Sequence, residues 1–540
     1  MARFLPLWCF LVLVPAFIWS QDLGAIKKQQ PFKVSGTVTA QYIFYSSTGP
    51  SYLQPGSWMI SGSPVLNIYG VAVPLSFTFS EKERSFRQPL NNFGLSPYYK
   101  WLTLHLGFRN LTFSEYSLNG HQMLGVGAEI KNLKKIHFGV MYGRLMRPIE
   151  PRPDDMFEQY QTPAYRRKGI AFTAGYGGEK NKIDVFLFQA DDDANSLKNQ
   201  LLRPELKAGS NRVMGAKTHN VLLKHFTLDA EWATSETQYT NAGTQAVNTE
   251  KGSAIDAKMG FNNQRFRMMI KYLRIAPGFE SFGRYFFQRD VRNITFDPGA
   301  DFFEKKLSLD LSLGFQRDQL DQNKAYKTER RIFSGKVTAR PWKFYTFNLT
   351  AGNYSIDQQK GLYEPDPLLR ISQANFNLTA MNQFMQTFKN YTHFFNVVYA
   401  AQRLSDNNAN TSKFSEFEMN TWSLMYSATL PKIMLTATAT YMSSAYRQQL
   451  INTRIAGPLF SINKSFKKKV SFSLSWADRS TNKGLKKTHQ TSTISIAADF
   501  KFYKRHRIGF RYTYNDQQSF VSGVSSFHEN RGDISYAFTF

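Results

Sequence analysis

Nine histidines are scattered along the chain: His105, His121, His137, His219, His225, His393, His489, His506 and His528. Imidazoles can ligate a metal or move protons, but that chemistry needs partners at set spacings. No pair has the His-Glu-x-x-His spacing of a metalloprotease, and no serine sits in a glycine-flanked elbow. The run Asp191-Asp192-Asp193-Ala194-Asn195-Ser196 has the carboxylate density of a calcium loop. Ser196 stands where such a loop needs its turn glycine, and Leu202 where it needs its closing glutamate, so a solvated acidic loop is expected. The only cysteine, Cys9, lies in the apolar N-terminal segment, which excludes disulfides and thiolate chemistry from the rest of the chain. No catalytic residue, metal or cofactor is expected, and the chain does not read as an enzyme.

Charges spaced two apart are more informative. Asp229 and Glu231 form one set, Asp256 and Lys258 a second, and Arg265, Arg267 and Lys271 a third. Residues at even spacing share one face of a β-strand, so each set would point to one side of a sheet. Two readings stay open: a transverse field that orients polar solutes in a pore, or a salt-bridge ladder that braces a wall. Other basic residues cluster in Arg166, Arg167 and Lys168, in Lys483, Lys486 and Lys487, in Lys467, Lys468 and Lys469, and in Lys504, Arg505 and Arg507.

The elements that must position these groups are strands. Leu307, Leu309, Leu311, Leu313 and Phe315 alternate with Ser308, Asp310, Ser312 and Gly314; Val470, Phe472, Leu474 and Trp476 alternate with serines. The same period runs from Phe32 to Tyr45 and through Ile433–Tyr441. One face of each strand is apolar and the other polar. The alternating runs span 10 to 14 residues, nearer the roughly 9–11 tilted residues that cross a bilayer than the ~5–6 of a soluble sheet. Short turns, at Asn262–Asn263, Arg340–Trp342, Leu430–Lys432 and Phe502–Arg505, alternate with long polar loops such as 144–167, 190–210, 277–289, 404–416 and 517–531. That asymmetry is the mark of an outer-membrane barrel, with short periplasmic turns and long extracellular loops. The fold expected is all-β: a single large antiparallel transmembrane barrel of about 24 strands (22–26), with both ends in the periplasm.

Composition agrees. Aromatics make up 15% and hydrophobic residues 42% of 540 residues, too apolar for disorder. After residue 20 no apolar run approaches the length of a membrane helix. Residues 1–20, with Arg3 ahead of the apolar stretch Leu5–Trp19 and Ser20 at the cleavage point, read as a signal peptide. Residues 21–31 then form a short periplasmic segment and 32–540 the barrel. Within it, 58–97 is irregular: the apolar parity slips near Gly70 and Pro74 interrupts, as a bulge, an extra hairpin or a plug would produce. The final alternation Tyr536, Phe538, Phe540 reads as an assembly signal for the barrel assembly machinery.

The run Ser96-Pro97-Tyr98-Tyr99-Lys100-Trp101, then Leu106-Gly107, Thr112-Phe113-Ser114 and Tyr116-Ser117-Leu118-Asn119-Gly120-His121 resembles an uncharacterised family of Bacteroidota outer-membrane β-barrel proteins. The similarity extends through Tyr142-Gly143-Arg144 and, faintly, Gly314-Phe315-Gln316-Arg317-Asp318. It implies fold and compartment and carries over no catalytic residue.

The net charge of +27 suits a Gram-negative outer membrane. Arg166–Lys168 and Lys483–Lys487 would meet lipopolysaccharide phosphates, and Lys467–Lys469 the anionic phospholipid or a protein partner on the periplasmic side. Nucleic acid is not an expected partner. Two functions follow from the pattern: a wide polar pore or transport channel for hydrophilic solutes, or a barrel subunit of a multi-protein outer-membrane assembly or secretion complex; a third, an outer-membrane enzyme, would need a cluster of lumen-mouth acids and histidines that the sequence does not assemble. Deleting Phe540 should slow assembly without affecting export; unfolded chain accumulating in the periplasmic fraction checks this, and normal insertion removes the terminal-signal reading.

Overall fold

The computed structural model describes residues 31–49, 54–81, 91–133, 135–151, 163–198, 206–241, 243–244, 246–286, 288–449, 451–467 and 469–540. The signal segment, nearly all of 21–31 and Lys468 lie outside them. The described chain forms one antiparallel sheet in which each strand pairs with its sequence neighbours. The sheet closes because Thr37–Ser47 pairs with Phe527–Thr539, from Thr37 opposite Thr539 to Ser47 opposite Glu529. In lipid every backbone amide needs a partner, and closure removes the two edges that would lack one.

The wall has 26 strands. Twenty-two of them run from Leu102–Thr112 to Phe527–Thr539, as expected. The remaining four lie before Trp101, where the described residues of 58–97 form strands of the wall. Phe32–Ser35 and Thr37–Ser47 form the first strand, Gly56–Gly62 and Val65–Ile68 the second, Val71–Ser80 the third, and Asn92–Leu95 with Tyr98–Tyr99 the fourth. The parity slip near Gly70 is a tight turn, with Tyr69 at φ 48° and Gly70 at φ 85°. Pro74 falls where Val71–Ser80 changes partner, from Val65–Ile68 to Gly56–Gly62, so its missing N–H costs little.

The alternation sets which face meets lipid. Leu311, Leu313 and Phe315 stand exposed on the outer surface, as do Trp422 and Leu424, Leu474 and Trp476, and Ile534 and Tyr536. An exposed apolar band of this extent is stable only in a bilayer. The short turns at 222–226, 262–266, 340–345, 430–435 and 502–506 lie at the end that holds Phe32 and Phe540. Several are closed by non-glycine residues in the left-handed region, such as Leu223 with Lys224 and Tyr503 with Lys504. Aromatics gather beside them: Trp342 stacks on Phe344 at 5.8 Å and Phe500 on Phe502 at 5.6 Å, as an interfacial girdle requires. Tyr536 and Phe538 lie in the last strand, and the Phe540 amide donates to the Gly36 carbonyl at 3.0 Å.

Leu311→Arg should cost roughly 2–4 kcal/mol near the bilayer midplane, whereas Ser312→Arg, on the lumen face, should leave the barrel folded. Heat-resistant migration on gels distinguishes them; equal behaviour would reverse the assigned faces.

Candidate functional site in the lumen

Between Leu102 and Ile275 the inner wall departs from the simple pattern. Met141, Phe186, Phe188, Val213, Ala233 and Ala254 sit on the lumen side, yet they are fully or almost fully buried. Two connections from the long-loop end fold inward and cover them: residues 113–118, which bring Phe113, Tyr116 and Leu118, and residues 276–290, which bring Phe279 and Phe282. Of these two connections, 277–289 stands out in the sequence as a long polar loop and 113–118 does not. The missed signal was strands apolar on both faces, as in Val185-Phe186-Leu187-Phe188.

Polar groups on the wall hold the second loop by its backbone. Asn211, wholly buried, donates to the Glu280 carbonyl at 2.9 Å and to Thr237 Oγ1 at 2.8 Å, and accepts from the Phe282 amide at 3.0 Å. Ser235 Oγ accepts from the Glu280 amide at 3.0 Å, and Tyr239 donates to Glu280 Oε2 at 2.6 Å. Gly252 faces Phe279 so closely that any side chain there would strike the loop backbone. The two loops also bind each other: Ser281 Oγ donates to the Ser117 carbonyl at 2.9 Å, and Arg284 to the Glu115 carbonyl at 2.7 Å. Further out, Asp290 is buried and its carboxylate accepts the Leu320 and Gln319 amides at 2.8 and 3.0 Å, with Lys324 at 2.6 Å. Burial opposes its charge, but these donors outweigh it and hold the carboxyl below the usual range.

Below the covered wall lies a cavity of about 340 Å³. Six carboxylates line it, Glu115, Glu179, Asp184, Asp229, Glu231 and Asp256, against three ammonium groups, Lys182, Lys217 and Lys258. The lining is therefore net acidic. Glu231 accepts from Ser114 Oγ at 2.5 Å, and Lys217 donates to the Phe113 carbonyl, so both anchor the shorter loop. Burial first, then the charges of Asp256 and Glu231, hold the Tyr116 hydroxyl above its usual range, keeping it a neutral phenol.

Of the charges singled out in the sequence, Asp229 stands directly opposite Lys258, and Lys258 opposite Lys271. Glu231 stands opposite Asp256, and Lys258 reaches Asp256 at 3.1 Å on its own strand. Lys271 pairs instead with Asp297 at 2.7 Å. Arg267 bridges Asp301 at 2.6 Å and Asp310 at 2.9 Å. The acids of Val291–Phe302 and Leu307–Arg317 that complete this bracing were not among the sequence candidates. Arg265 lies in the turn before Phe266–Ile275, exposed, one residue outside the strand that carries Arg267 and Lys271.

Arg167 is a correction. Strand parity turns it inward, where it pairs with Asp192 through two 2.8 Å bonds and lies 3.5 Å from the Phe282 ring centroid, so it holds a loop rather than glycolipid. Arg166 is engaged by Asp193, leaving Lys168 as the exposed cation of that trio. The acidic run is thus spent on protein partners, with Asp191 taking Ser210 Oγ at 2.6 Å. Lys483, Lys486 and Lys487 surround an exposed hairpin at the long-loop end, with Lys487 Nζ 4.8 Å from the Phe520 ring centroid. Lys467 and Lys469 flank a turn at the opposite end.

Three of the histidines, His105, His137 and His219, find carboxylates through strand register, which no sequence spacing reveals. His105 meets Glu129 at 2.9 Å and Ser96 at 2.8 Å, bracing the kink between Asn92–Leu95 and Tyr98–Tyr99. His219 meets Asp229 at 2.5 Å. His137 reaches Asp184 two strands away, across Gly175, which stands opposite both residues and offers no side chain to block them.

Asn211→Ala would strand the Phe282 amide and the Glu280 carbonyl. It should weaken docking of the inward loop by about 2 kcal/mol, or roughly thirtyfold in its undocked fraction. Faster proteolysis within 276–290 in an intact barrel checks this.

No family model matches the chain, and no curated protein matches it. Among solved structures it is similar to OccAB4 of Acinetobacter baumannii, at 12% identity over 95% of this chain and 99% of that one, TM-score 0.31. It is similar also to the FrpB iron transporter of Neisseria meningitidis, at 9% identity over 93% and 81%, TM-score 0.40. The translocation pore of the P pilus usher PapC gives 11% over 94% and 99%, TM-score 0.33. The fold assignment stands on the strand register and not on these likenesses.

Proposed function

We propose that this protein is an outer-membrane channel for hydrophilic solutes, narrowed on one side by its inward loops. One observation carries the reading. From Arg292 to Phe540, the only non-glycine residues buried among those described are Asp406, Asn408 and Thr488. The inner face of that half is therefore wet, and it carries neutral cross-strand bonds such as Thr338 to Asn348 at 3.0 Å, Thr421 to Ser444 at 2.9 Å and Thr438 to Ser427 at 3.1 Å. Strands ~4.8 Å apart and tilted ~40° give a 26-strand barrel a backbone diameter on the order of 50 Å, far more than two loops fill. A wall of hydroxyls and amides suits water, polyols and sugars. Outward, the apolar band and the lumen's polarity fit the outer membrane of a Gram-negative cell, with lipopolysaccharide phosphates near Lys168, Lys486 and Lys487.

A second reading, as a subunit of a larger outer-membrane assembly, draws on the long-loop end. Asn408 donates to the Pro367 and Arg370 carbonyls, both at 2.9 Å, tying loops 361–371 and 407–416 together. The joined loops hold Leu362, Tyr363, Leu368, Leu369 and Phe414 exposed. Gentle solubilisation separates the two: a chain migrating alone supports the channel, and a stoichiometric companion supports the assembly.

The purified protein should conduct in planar bilayers, and removal of 277–289 should raise its single-channel conductance. A folded barrel silent with and without that loop would defeat the channel reading.

A further inference from the structure

At the short-turn end, beside the seam where the first and last strands meet, the lumen wall opens into a cavity of about 430 Å³. Lys469, Lys501, Lys504, Arg505 and Arg507 line it, with Asp499 as the only carboxylate among its described lining residues. We propose that this cavity is a binding site for a small polyanion bearing two or more phosphate or carboxylate groups.

Strand parity turns the wall residues of the cavity inward. Phe500 and Ile508 point out to the lipid side, so Lys501 and Arg507, one residue removed, face the lumen. They stand directly opposite each other in the strand register. Like charges so placed repel and destabilise a sheet. At Arg267 and Lys271 the inner wall answers its cations with acids. Here Asp499 answers Arg507 alone, with both contacts at 3.0 Å. Lys469, Lys501, Lys504 and Arg505 have no ion pair among the described residues. The connecting turn is fixed, with Tyr503 at φ 45°, Lys504 at φ 59° and the Arg505 amide donating to the Tyr503 carbonyl at 2.6 Å. Four cations are thus held together without neutralisation, in a space within the range that encloses small ligands. The hydroxyls of Ser471 and Thr539 on the same rim add neutral donors. Phospholipid headgroups are disfavoured, because the wall cations point away from the lipid side.

The site stands without the channel reading, but if the protein conducts, the cavity would lie on the solute's path. Pyrophosphate titrated calorimetrically into the full-length barrel in non-ionic detergent should bind saturably at low salt, and at least tenfold more weakly at high salt, where screening is short-ranged. Lys501→Gln with Lys504→Gln should weaken binding about tenfold or more, while Lys486→Gln with Lys487→Gln at the other end should leave it unchanged. In the unaltered protein, pyrophosphate should shield Lys501 and Lys504 from acetylation, read by mass spectrometry, which tests the site even if the double variant does not fold. No saturable binding, equal loss from both double variants, or binding of an acidic peptide but not of pyrophosphate would overturn the proposal. Binding without any effect on bilayer current would leave the site standing and count against the channel.

Discussion

Backbone closure is the constraint from which the rest follows. A strand in lipid cannot leave an amide unpaired, and each unsatisfied group costs several kcal/mol. The pairing of Thr37–Ser47 with Phe527–Thr539 therefore decides whether any of the other strands can remain in a membrane. Because the first and last strands of the wall pair antiparallel at the seam, the strand number is even and both ends of the wall lie on one side. Closure also fixes side-chain parity around the circumference. Every polar residue out of phase would meet lipid, and every apolar residue out of phase must find cover inside.

The covered sector shows how that second condition is met. Phe186, Phe188, Met141 and Val213 point inward, so the chain brings Phe113, Leu118, Phe279 and Phe282 to them. This is a small hydrophobic core built inside a water-filled tube, with its polar perimeter satisfied by Asn211, Ser235 and Tyr239. The opposite half needs no such cover, since its inner face is already hydrogen-bonding. One chain thus combines two kinds of wall, and the difference between them leaves one side of the lumen uncovered.

How much of this could be read from the sequence depended on period. Leu307–Phe315 alternates without interruption, and its strand and its outward face were legible at once. Trp58–Pro97 was not, because a two-residue turn at Tyr69–Gly70 looks like a slip in phase when its left-handed backbone is unseen. Asp229, Asp256, Lys258, Arg267 and Lys271 were legible as members of one polar face, but their partners were not. Asp297, Asp301 and Asp310 reach them through register, and His137 reaches Asp184 only because Gly175 is bare. Arg167 belonged by composition to an exposed basic cluster; parity within Arg166–Gly177 sent it to Asp192 and Phe282 instead.

The internal core has a mechanical consequence. A tube resists flattening through its wall, and here one sector of the wall is doubled by packed loops while the other is a single sheet thick. Lateral pressure from the bilayer would therefore be absorbed by the thin sector, and the cross-section would flex as a hinged arc against a stiff spine. Amide exchange should record the same division, with protection of the strands Arg166–Gly177 through Val247–Asn262 outlasting that of the single-layered wall. The spine would hold the loops and their charges at a constant distance from one another while the water column beside them breathes.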